Sequence, residues 1–322
     1  MWILFSLWLQ IPRVEIEHRA VTEVLKVIPV TGEDGHVVSL TACRRVGDDL
    51  FLLDRDSLKI AKIGLKDNRV SFFAGAGQAP GELNPQVLSL VEREGLLNVF
   101  HASGKRMDLF DLKGLAVSSE RFAEPGSVIY LDQRGTLTKD QSNHFRLRTK
   151  NGEAEIDTFP MKTFGFYLRT ALFLDRYFLI ANKSANKDLF VFAVFDMNKG
   201  SIQGSFEVEM TNKKYEDGVP AWVLKSIQKK GIDAASAAAG IFLVMLNPVV
   251  THDDYGFLMC EQGGEDEPTF AIHIYDPRTQ RRRLMRIRKG PLKIPRFFLP
   301  LEDEKWATFD SRDGEIVIFK ME

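Results

Sequence analysis

The sequence predicts an all-β fold made of repeated four-stranded units. Residues 50–65 and 96–112 follow one pattern, in which an apolar strand, a short polar loop and a second strand succeed one another. Repetition with a period of 40 to 50 residues is typical of stacked or radial architectures. The chain also ends with three strands of a unit and begins with only one, which predicts a closed ring. Together these observations predict a six-bladed β-propeller.

The second strands of the predicted blades begin near Leu50, Leu96, Thr136, Tyr177, Phe257 and Trp306, spaced by 40 to 49 residues except for one step of 80.

The other strands of each blade are read from alternating apolar and polar residues, rich in β-branched and aromatic types. Predicted first strands are 37–42, 87–91, 127–131, 168–174, 249–251 and 296–301. Predicted third strands are 59–65, 106–112, 145–149, 189–196, 270–276 and 315–320.

The two chain ends predict how the ring closes. Only Met321 and Glu322 follow the last third strand, so the last blade lacks a fourth strand of its own. Residues 20–30 form an apolar strand that has no preceding partners. We expect this N-terminal strand to pair into the C-terminal blade, because closure leaves no open sheet edge between the first and last units.

The long step of 80 residues contains a predicted helical insertion at about 211–240. Pro220 suits the first turn of a helix, and Val223, Leu224 and Ile227 recur at helical spacing. The insertion is either a lid or partner-docking helix, or an amphipathic helix that fills a gap on the side of the ring.

Composition sets broad limits on the class of protein. The 322 residues are 44% apolar, which is ample for a packed core, and the formal charge of −1 argues against protein-wide attraction to nucleic acid. Cys43 and Cys260 are interpreted as buried, inert thiols. Residues 1–19 are interpreted as a tail or the remnant of a signal sequence, and 20–322 as the propeller domain. The apolar run 2–9 is too short to span a bilayer, so no transmembrane segment is predicted, and both export and the cytoplasm stay open.

The link between the first two blades resembles that of a known group. The stretch Gly75-Ala-Gly-Gln-Ala-Pro-Gly-Glu-Leu-Asn-Pro85, with the strand pair 97–111 after it, is similar to the glycine-rich link of six-bladed propellers built from NHL-type repeats. Only residues 50–112 carry this resemblance. It implies a propeller fold, and a family that includes binding modules, RNA-binding regulators and a few metal-dependent lyases and hydrolases. Fold does not decide among these functions.

Propeller topology predicts which loops share a face. The loop between the second and third strands of each blade emerges on the same side as the links between blades, and we expect a ligand site at this mouth of the central channel. No catalytic residue is predicted, since the sequence contains no nucleophile elbow, phosphate-binding loop or His-Glu-x-x-His motif. The candidate ligand-binding residues on this face are Asp54, Arg55, His101, Lys105, His144, Asn182 and Arg312.

A metal centre is an alternative at the same mouth. His36, His101 and His144 fall there in neighbouring blades, and three imidazoles could hold zinc with an open fourth position. Carboxylates such as Asp54 could instead bind calcium, although aspartate at a strand end also caps the following turn. No resident cofactor is predicted, with zinc or calcium as the alternative.

A basic stretch offers a third kind of site. Residues 281–296 contain eight basic side chains and no acid, and the alternation around Met285 and Ile287 predicts an outermost edge strand. A charged edge prevents unwanted sheet pairing, or it can bind a polyanion or RNA. The candidate polyanion residues are Arg281, Arg282, Arg283, Arg286 and Arg288.

The sequence therefore favours a monomeric, non-catalytic binding or scaffolding propeller whose partner is a protein, peptide or glycan. A metal-dependent lyase or hydrolase and a polyanion-binding protein are the alternatives, and nucleic acid is disfavoured because acidic runs at 265–267 and 302–304 offset the basic stretch.

Overall fold

The fold is all-β in every part of the chain that the structure describes. The structure is a computed structural model. It describes residues 15–32, 35–36, 40–54, 57–84, 87–101, 106–121, 127–132, 135–139, 145–149, 152–156, 169–173, 177–183, 189–196, 198–209, 250–252, 256–262, 269–276, 279, 281–288, 290–292, 295, 297–310 and 313–322. Within these residues there is no helix, and hence none long and apolar enough to cross a membrane. The predicted helical insertion at 211–240 lies outside them.

Twenty-six strands are present in the described residues. In the N-terminal half they are β1 (Glu15–Pro29), β2 (Thr31–Gly32), β3 (Gly35–His36), β4 (Leu40–Val46), β5 (Asp49–Asp54), β6 (Lys59–Gly64), β7 (Val70–Phe73), β8 (Val87–Arg93), β9 (Leu96–His101), β10 (Arg106–Asp111), β11 (Ala116–Arg121), β12 (Ser127–Asp132), β13 (Gly135–Lys139), β14 (Phe145–Thr149) and β15 (Gly152–Ile156). In the C-terminal half they are β16 (Arg169–Phe173), β17 (Tyr177–Lys183), β18 (Leu189–Asp196), β19 (Ser201–Glu209), β20 (Val250–His252), β21 (Gly256–Gln262), β22 (Thr269–Asp276), β23 (Arg281–Arg288), β24 (Leu299–Pro300), β25 (Lys305–Asp310) and β26 (Glu315–Met321).

Apart from the two-stranded hairpin of β2 and β3, antiparallel pairing divides these strands into groups of four. Three groups are separate sheets, β8–β11, β12–β15 and β16–β19. The other groups, β4–β7, β20–β23 and β24–β26 with β1, are joined in one twelve-stranded sheet. The second strands begin within one residue of the predicted positions. The repeat read from the sequence is therefore confirmed as a series of four-stranded antiparallel units, the arrangement of a β-propeller.

The first strands of five of the six groups contact one another across the boundaries between groups. Contacts between groups join β4 to β8, β8 to β16, β16 to β20, and β20 to β24. Two adjacent arginines on β4 connect this strand to two other groups. The Arg44 guanidinium lies 3.9 Å from the Glu92 carboxylate on β8, whereas Arg45 Nη1 donates to the Pro300 carbonyl on β24 at 3.2 Å. Successive side chains on a strand point in opposite directions, which lets neighbouring arginines reach different groups.

The N-terminal strand completes the C-terminal group, as the chain ends predict. From Val21 to Pro29, β1 runs antiparallel to β26 and ends against Glu315. Two register shifts interrupt this pairing, and such bulges are common in edge strands. Val21, Ile28 and Val30 enter the main hydrophobic core, so this strand contributes apolar burial as well as backbone hydrogen bonds.

Two features of β1 differ from the prediction. The strand begins at Glu15 and not at Ala20, and its residues 15–20 pair in parallel with β23, Glu15 beside Arg283 and Ala20 beside Arg288. The basic strand 281–288 is therefore the last of its own group, but the prediction that it forms a free sheet edge is wrong. The pairing covers its backbone donors and acceptors with those of the chain's N-terminal segment.

Aromatic packing joins the first two groups. The Phe73 ring on β7 lies 6.4 Å from Phe51 on β5 and 5.5 Å from Phe110 on β10, measured between ring centroids. Offset aromatic pairs at these distances add to the stabilisation from apolar burial. Lys62 Nζ then donates to the Leu112 carbonyl at 2.9 Å and forms an ion pair with Asp49 at the same distance. Aromatic contacts and a side-chain hydrogen bond thus join the two groups.

Candidate functional site: the loop-bearing end and the His101 network

In an up-and-down four-stranded unit the second strand ends on the side from which the links leave, so topology assigns the ends of the second strands to that side. Their last residues are Asp54, His101, Lys139, Lys183, Gln262 and Asp310, each followed by a loop to the third strand. These loops are four to six residues long, whereas the turns between first and second strands, on the opposite side, are two to four residues long. Longer polar connections on a rigid sheet framework are where binding sites usually develop.

The polar residues just beneath the loops are buried. Asp54 is 1% exposed, His101 0% and Asp310 3%. A buried charge must be paired or hydrogen-bonded. Ser57 Oγ donates to Asp54 Oδ2 at 2.9 Å, so Asp54 caps its own hairpin, as the turn interpretation predicts.

The other predicted site residues are placed less fully. Asn182 lies in β17 opposite Val191, and His36 pairs with Thr31 in the β2–β3 hairpin. Arg55, Lys105, His144 and Arg312 lie outside the described residues. Because His144 lies outside the described residues, the zinc site of His36, His101 and His144 stays a prediction. No group of three or more metal-ligating side chains is found in the described ranges.

His101 belongs to a buried network. Its Nε2 lies 2.9 Å from Asp108 Oδ2, and the same oxygen lies 2.9 Å from Arg106 Nη2. The side chains of His101 and Asp108 are fully buried, and that of Arg106 is 3% exposed. The His101–Asp108 contact is close but its hydrogen-bond geometry is irregular, and Nδ1 has no hydrogen-bond partner among the described residues. His101 therefore differs from the solvent-facing position expected of it.

The network holds the glycine-rich link in place. Arg106 Nη1 donates to the Gln78 carbonyl at 2.6 Å, and Nη2 donates to the Glu82 carbonyl. The backbone N–H of Gly81 lies 3.5 Å from Asp108 Oδ1, at the limit of a hydrogen bond. One guanidinium therefore donates to two carbonyls of the link and forms an ion pair with the buried carboxylate of Asp108 on β10, since arginine carries several donors in a fixed arrangement.

The link also has its own internal structure. Gly77 N donates to the Leu83 carbonyl at 2.9 Å, and Leu83 N donates to the Gly75 carbonyl at 2.6 Å. The Glu82 carboxylate accepts a hydrogen bond from Ala79 N at 2.8 Å. The segment is thus a closed loop stabilised by its own backbone, which agrees with its interpretation as a connection between units and not as a phosphate-binding loop.

The electrostatics of Asp108 follow from these contacts. Burial acts to raise the pKa of its carboxyl, but side-chain contacts with His101 and Ser119 and the charge of Arg106 outweigh it, so that the pKa lies below its ordinary value. Asp108 is therefore ionised in the folded protein at neutral pH. Sequence reasoning missed Arg106 and Asp108, although an Arg-x-Asp pattern on a predicted strand directly opposite His101 was an available signal.

A substitution at Gly81 tests the close packing of the link. Gly81 has φ +81°, and a Cβ there would lie 2.7 Å from Ala116 Cβ. We expect Gly81→Ala to combine left-handed backbone strain of about 1–2 kcal/mol with overpacking of about 1–3 kcal/mol. Gly47→Ala is the control, because Gly47 has φ +58° but open space around it. Equal losses in the free energy of unfolding by urea would contradict the packed link.

The arginines of β23 differ in exposure. Arg281, Arg286 and Arg288 are exposed, whereas Arg282 and Arg283 are half-buried. Cys43 on β4 is 4% exposed, and burial raises the pKa of its thiol, which agrees with an inert side chain.

Comparison with known proteins identifies the fold class. No family model matches the sequence, and no curated protein matches it. Among solved structures, the chain is similar to a Bacteroides fragilis protein that is designated as exported, with TM-score 0.54, 11% identity and coverage of 96% of this chain and 99% of that one. It is also similar to a member of the DUF4221 family from Bacteroides vulgatus, with TM-score 0.54, 9% identity and coverage of 94% and 97%.

A third similar structure is a Bacteroides thetaiotaomicron protein of unknown function, with TM-score 0.52, 10% identity and coverage of 92% of this chain and 76% of that one. At these identities the likeness is one of fold. Together with the series of four-stranded antiparallel units, five of which are in contact through their first strands, this likeness supports a β-propeller fold.

Proposed function

We propose that this protein is a six-bladed β-propeller of the NHL-repeat type that binds a protein, peptide or carbohydrate ligand with its loop-bearing end and performs no catalysis. The observation that carries the proposal is the asymmetry between the two ends. The connections between second and third strands are longer than the turns between first and second strands, and the repeat topology assigns them to the same side as the links.

The polar chemistry beneath these loops supports binding over catalysis. His101 and Asp108 are buried against Arg106, and Asp54 accepts a hydrogen bond from Ser57. These groups stabilise strand ends and the link, so they provide a rigid base for the loops. A preorganised base reduces the conformational entropy that is lost on binding.

Exchange of loops tests this proposal. We expect replacement of 102–105 and 140–144 by Asn-Gly turns to abolish retention of the ligands found by screening the protein on peptide and oligosaccharide arrays, with the melting temperature changed by only a few degrees. In the control, the opposite turn Glu94-Gly95 is replaced by Asn-Gly, and binding is expected to persist. Array binding that survives the loop exchange but is lost in the control would move the site to the other end.

Metal analysis separates this proposal from the enzymatic alternative. Our proposal includes no resident metal, and His101 is assigned to the buried network. Stoichiometric zinc or calcium in the purified protein, lost on His36→Ala or His144→Ala without unfolding, would replace the binding proposal with a metal-dependent lyase or hydrolase.

A further inference from the structure

The strand β23 presents two arginines on a single solvent-facing side. Met285 is 4% exposed and Ile287 is fully buried, whereas Arg286 and Arg288, which alternate with them, are exposed. Side chains two residues apart on a strand share a face and are separated by about 6.6 Å. One face of β23 therefore packs on the core, and the other holds a short row of guanidinium groups in water.

The parallel strand β1 adds to this row. Its residue His18 pairs with Arg286 and is itself exposed, and Ala20 pairs with Arg288. Residues that pair side by side in a sheet lie on the same face. His18, Arg286 and Arg288 thus form one surface, which we name the β1/β23 basic surface and which exists only when the N-terminal segment is docked.

The acidic residues of β1 lie on the other face. Glu15 pairs with Arg283, and Glu17 pairs with the buried Met285. Glu17 is already paired, since Arg19 Nε donates to its carboxylate at 2.6 Å. Within the described ranges no carboxylate forms an ion pair with Arg286 or Arg288, and the two β22 positions that pair with them, Ala271 and Thr269, carry no charge. Because side chains alternate between the two faces of β1, Glu15 and Glu17 lie on the face opposite to the β1/β23 basic surface.

We propose that the β1/β23 basic surface binds a sulfated polysaccharide, a ligand additional to the one assigned to the loop-bearing end. Guanidinium groups make paired, charge-assisted hydrogen bonds with oxyanions, and their spacing along the strand suits a linear chain of such groups. A nucleic acid fits less well, because single strands are bound by aromatic platforms that stack with the bases. The larger apolar residues on this face of β1 and β23 are Ile16 and Leu284, which are not aromatic. The net charge of −1 also makes the attraction local.

Heparin is the probe for this proposal. Wild-type protein is expected to bind immobilised heparin, and log K should fall linearly with log salt. Arg286→Gln/Arg288→Gln removes two exposed charges, and we expect about 10- to 30-fold weaker binding at physiological salt and a salt slope smaller by about two. The matched control is Arg146→Gln/Arg148→Gln, which removes two exposed arginines at the same spacing from β14, where both lie beside Glu153.

The outcomes separate this proposal from the alternatives and from the proposed function. Equal weakening in both double variants, or salt-insensitive retention of the wild type, would overturn the assignment. Tighter binding to poly(U) than to heparin would replace the polysaccharide with RNA. His18→Gln provides a milder second variant, expected to weaken heparin binding about two- to fivefold by loss of one contact. Array ligands of the loop-bearing end should still bind Arg286→Gln/Arg288→Gln, so that either proposal can fail alone.

Discussion

Deletion of residues 1–30 is expected to prevent folding of the whole domain. The deletion removes β1, which leaves β26 without its outer partner and takes Val21, Ile28 and Val30 out of the main core. Burial of each such side chain contributes about 1.5–3 kcal/mol, and the lost strand hydrogen bonds add to this. The sum approaches the total stability of about 5–15 kcal/mol that is typical of folded domains. We expect insoluble protein or a non-cooperative thermal transition, measured by circular dichroism.

Two shorter deletions make this test specific. Deletion of residues 1–12 removes no described contact, and the free energy of unfolding should change by less than about 0.5 kcal/mol. Deletion of residues 1–19 removes most of the parallel pairing with β23 but keeps the β26 pairing, and an intermediate loss of about 1–3 kcal/mol is expected from a few hydrogen bonds of roughly 0.5–1.5 kcal/mol each.

Rescue in trans provides an independent readout. A synthetic peptide of residues 15–30 is expected to restore a cooperative transition to the 1–30 deletion by adding the missing strand, whereas a scrambled peptide should not. Similar stability of the 1–12 and 1–30 deletions would disprove closure by the N-terminal strand.

Most of the fold could be predicted from local sequence patterns. The strands around Leu50, Leu96 and Tyr177 were found because alternation and turn residues are written within a few positions of each strand. Closure by β1 followed from counting strands at both ends. The parallel pairing of Glu15 with Arg283 was missed, since a charged segment resembles a tail and its partner lies more than 250 residues away along the chain.

The candidate site was harder to predict than the fold. His101 was assigned to the ligand-binding face because it precedes a polar loop, and Arg106 and Asp108 were placed in a third strand without a role. Whether a charged side chain is buried depends on what packs over it, and here that is the link around Gly81. The sequence shows both segments but not their contact.

Removal of the Arg106 side chain is expected to destabilise the fold strongly, although less than deletion of residues 1–30. Arg106→Met keeps much of the side-chain volume but leaves Asp108 buried without its arginine partner and the Gln78 and Glu82 carbonyls without their donor. Loss of one partner from a buried ion pair typically costs about 3–5 kcal/mol. Arg69→Met is the control, since its side chain is 89% exposed beside Asp67, and it should cost less than about 0.5 kcal/mol. Equal free energies of unfolding for the two variants would contradict the network.

The pH dependence of stability provides a second readout of the same network. Because the pKa of Asp108 is lowered in the folded state, its ionised form stabilises the fold above the ordinary aspartate pKa of about 3.9, and this contribution is lost as pH falls below that value through the folded pKa. As the pH falls below about 4, wild-type protein should therefore lose stability more steeply than Asp108→Asn, which has no carboxyl to titrate at this position. Asp111→Asn is a control for a lowered pKa at an exposed turn, where hydrogen bonds from the Leu115 and Lys113 amides stabilise the carboxylate. If the free energies of unfolding of wild type and Asp108→Asn had the same pH dependence, ionisation of the buried carboxylate would not be linked to folding. That result would also contradict the role of Arg106 in holding the link.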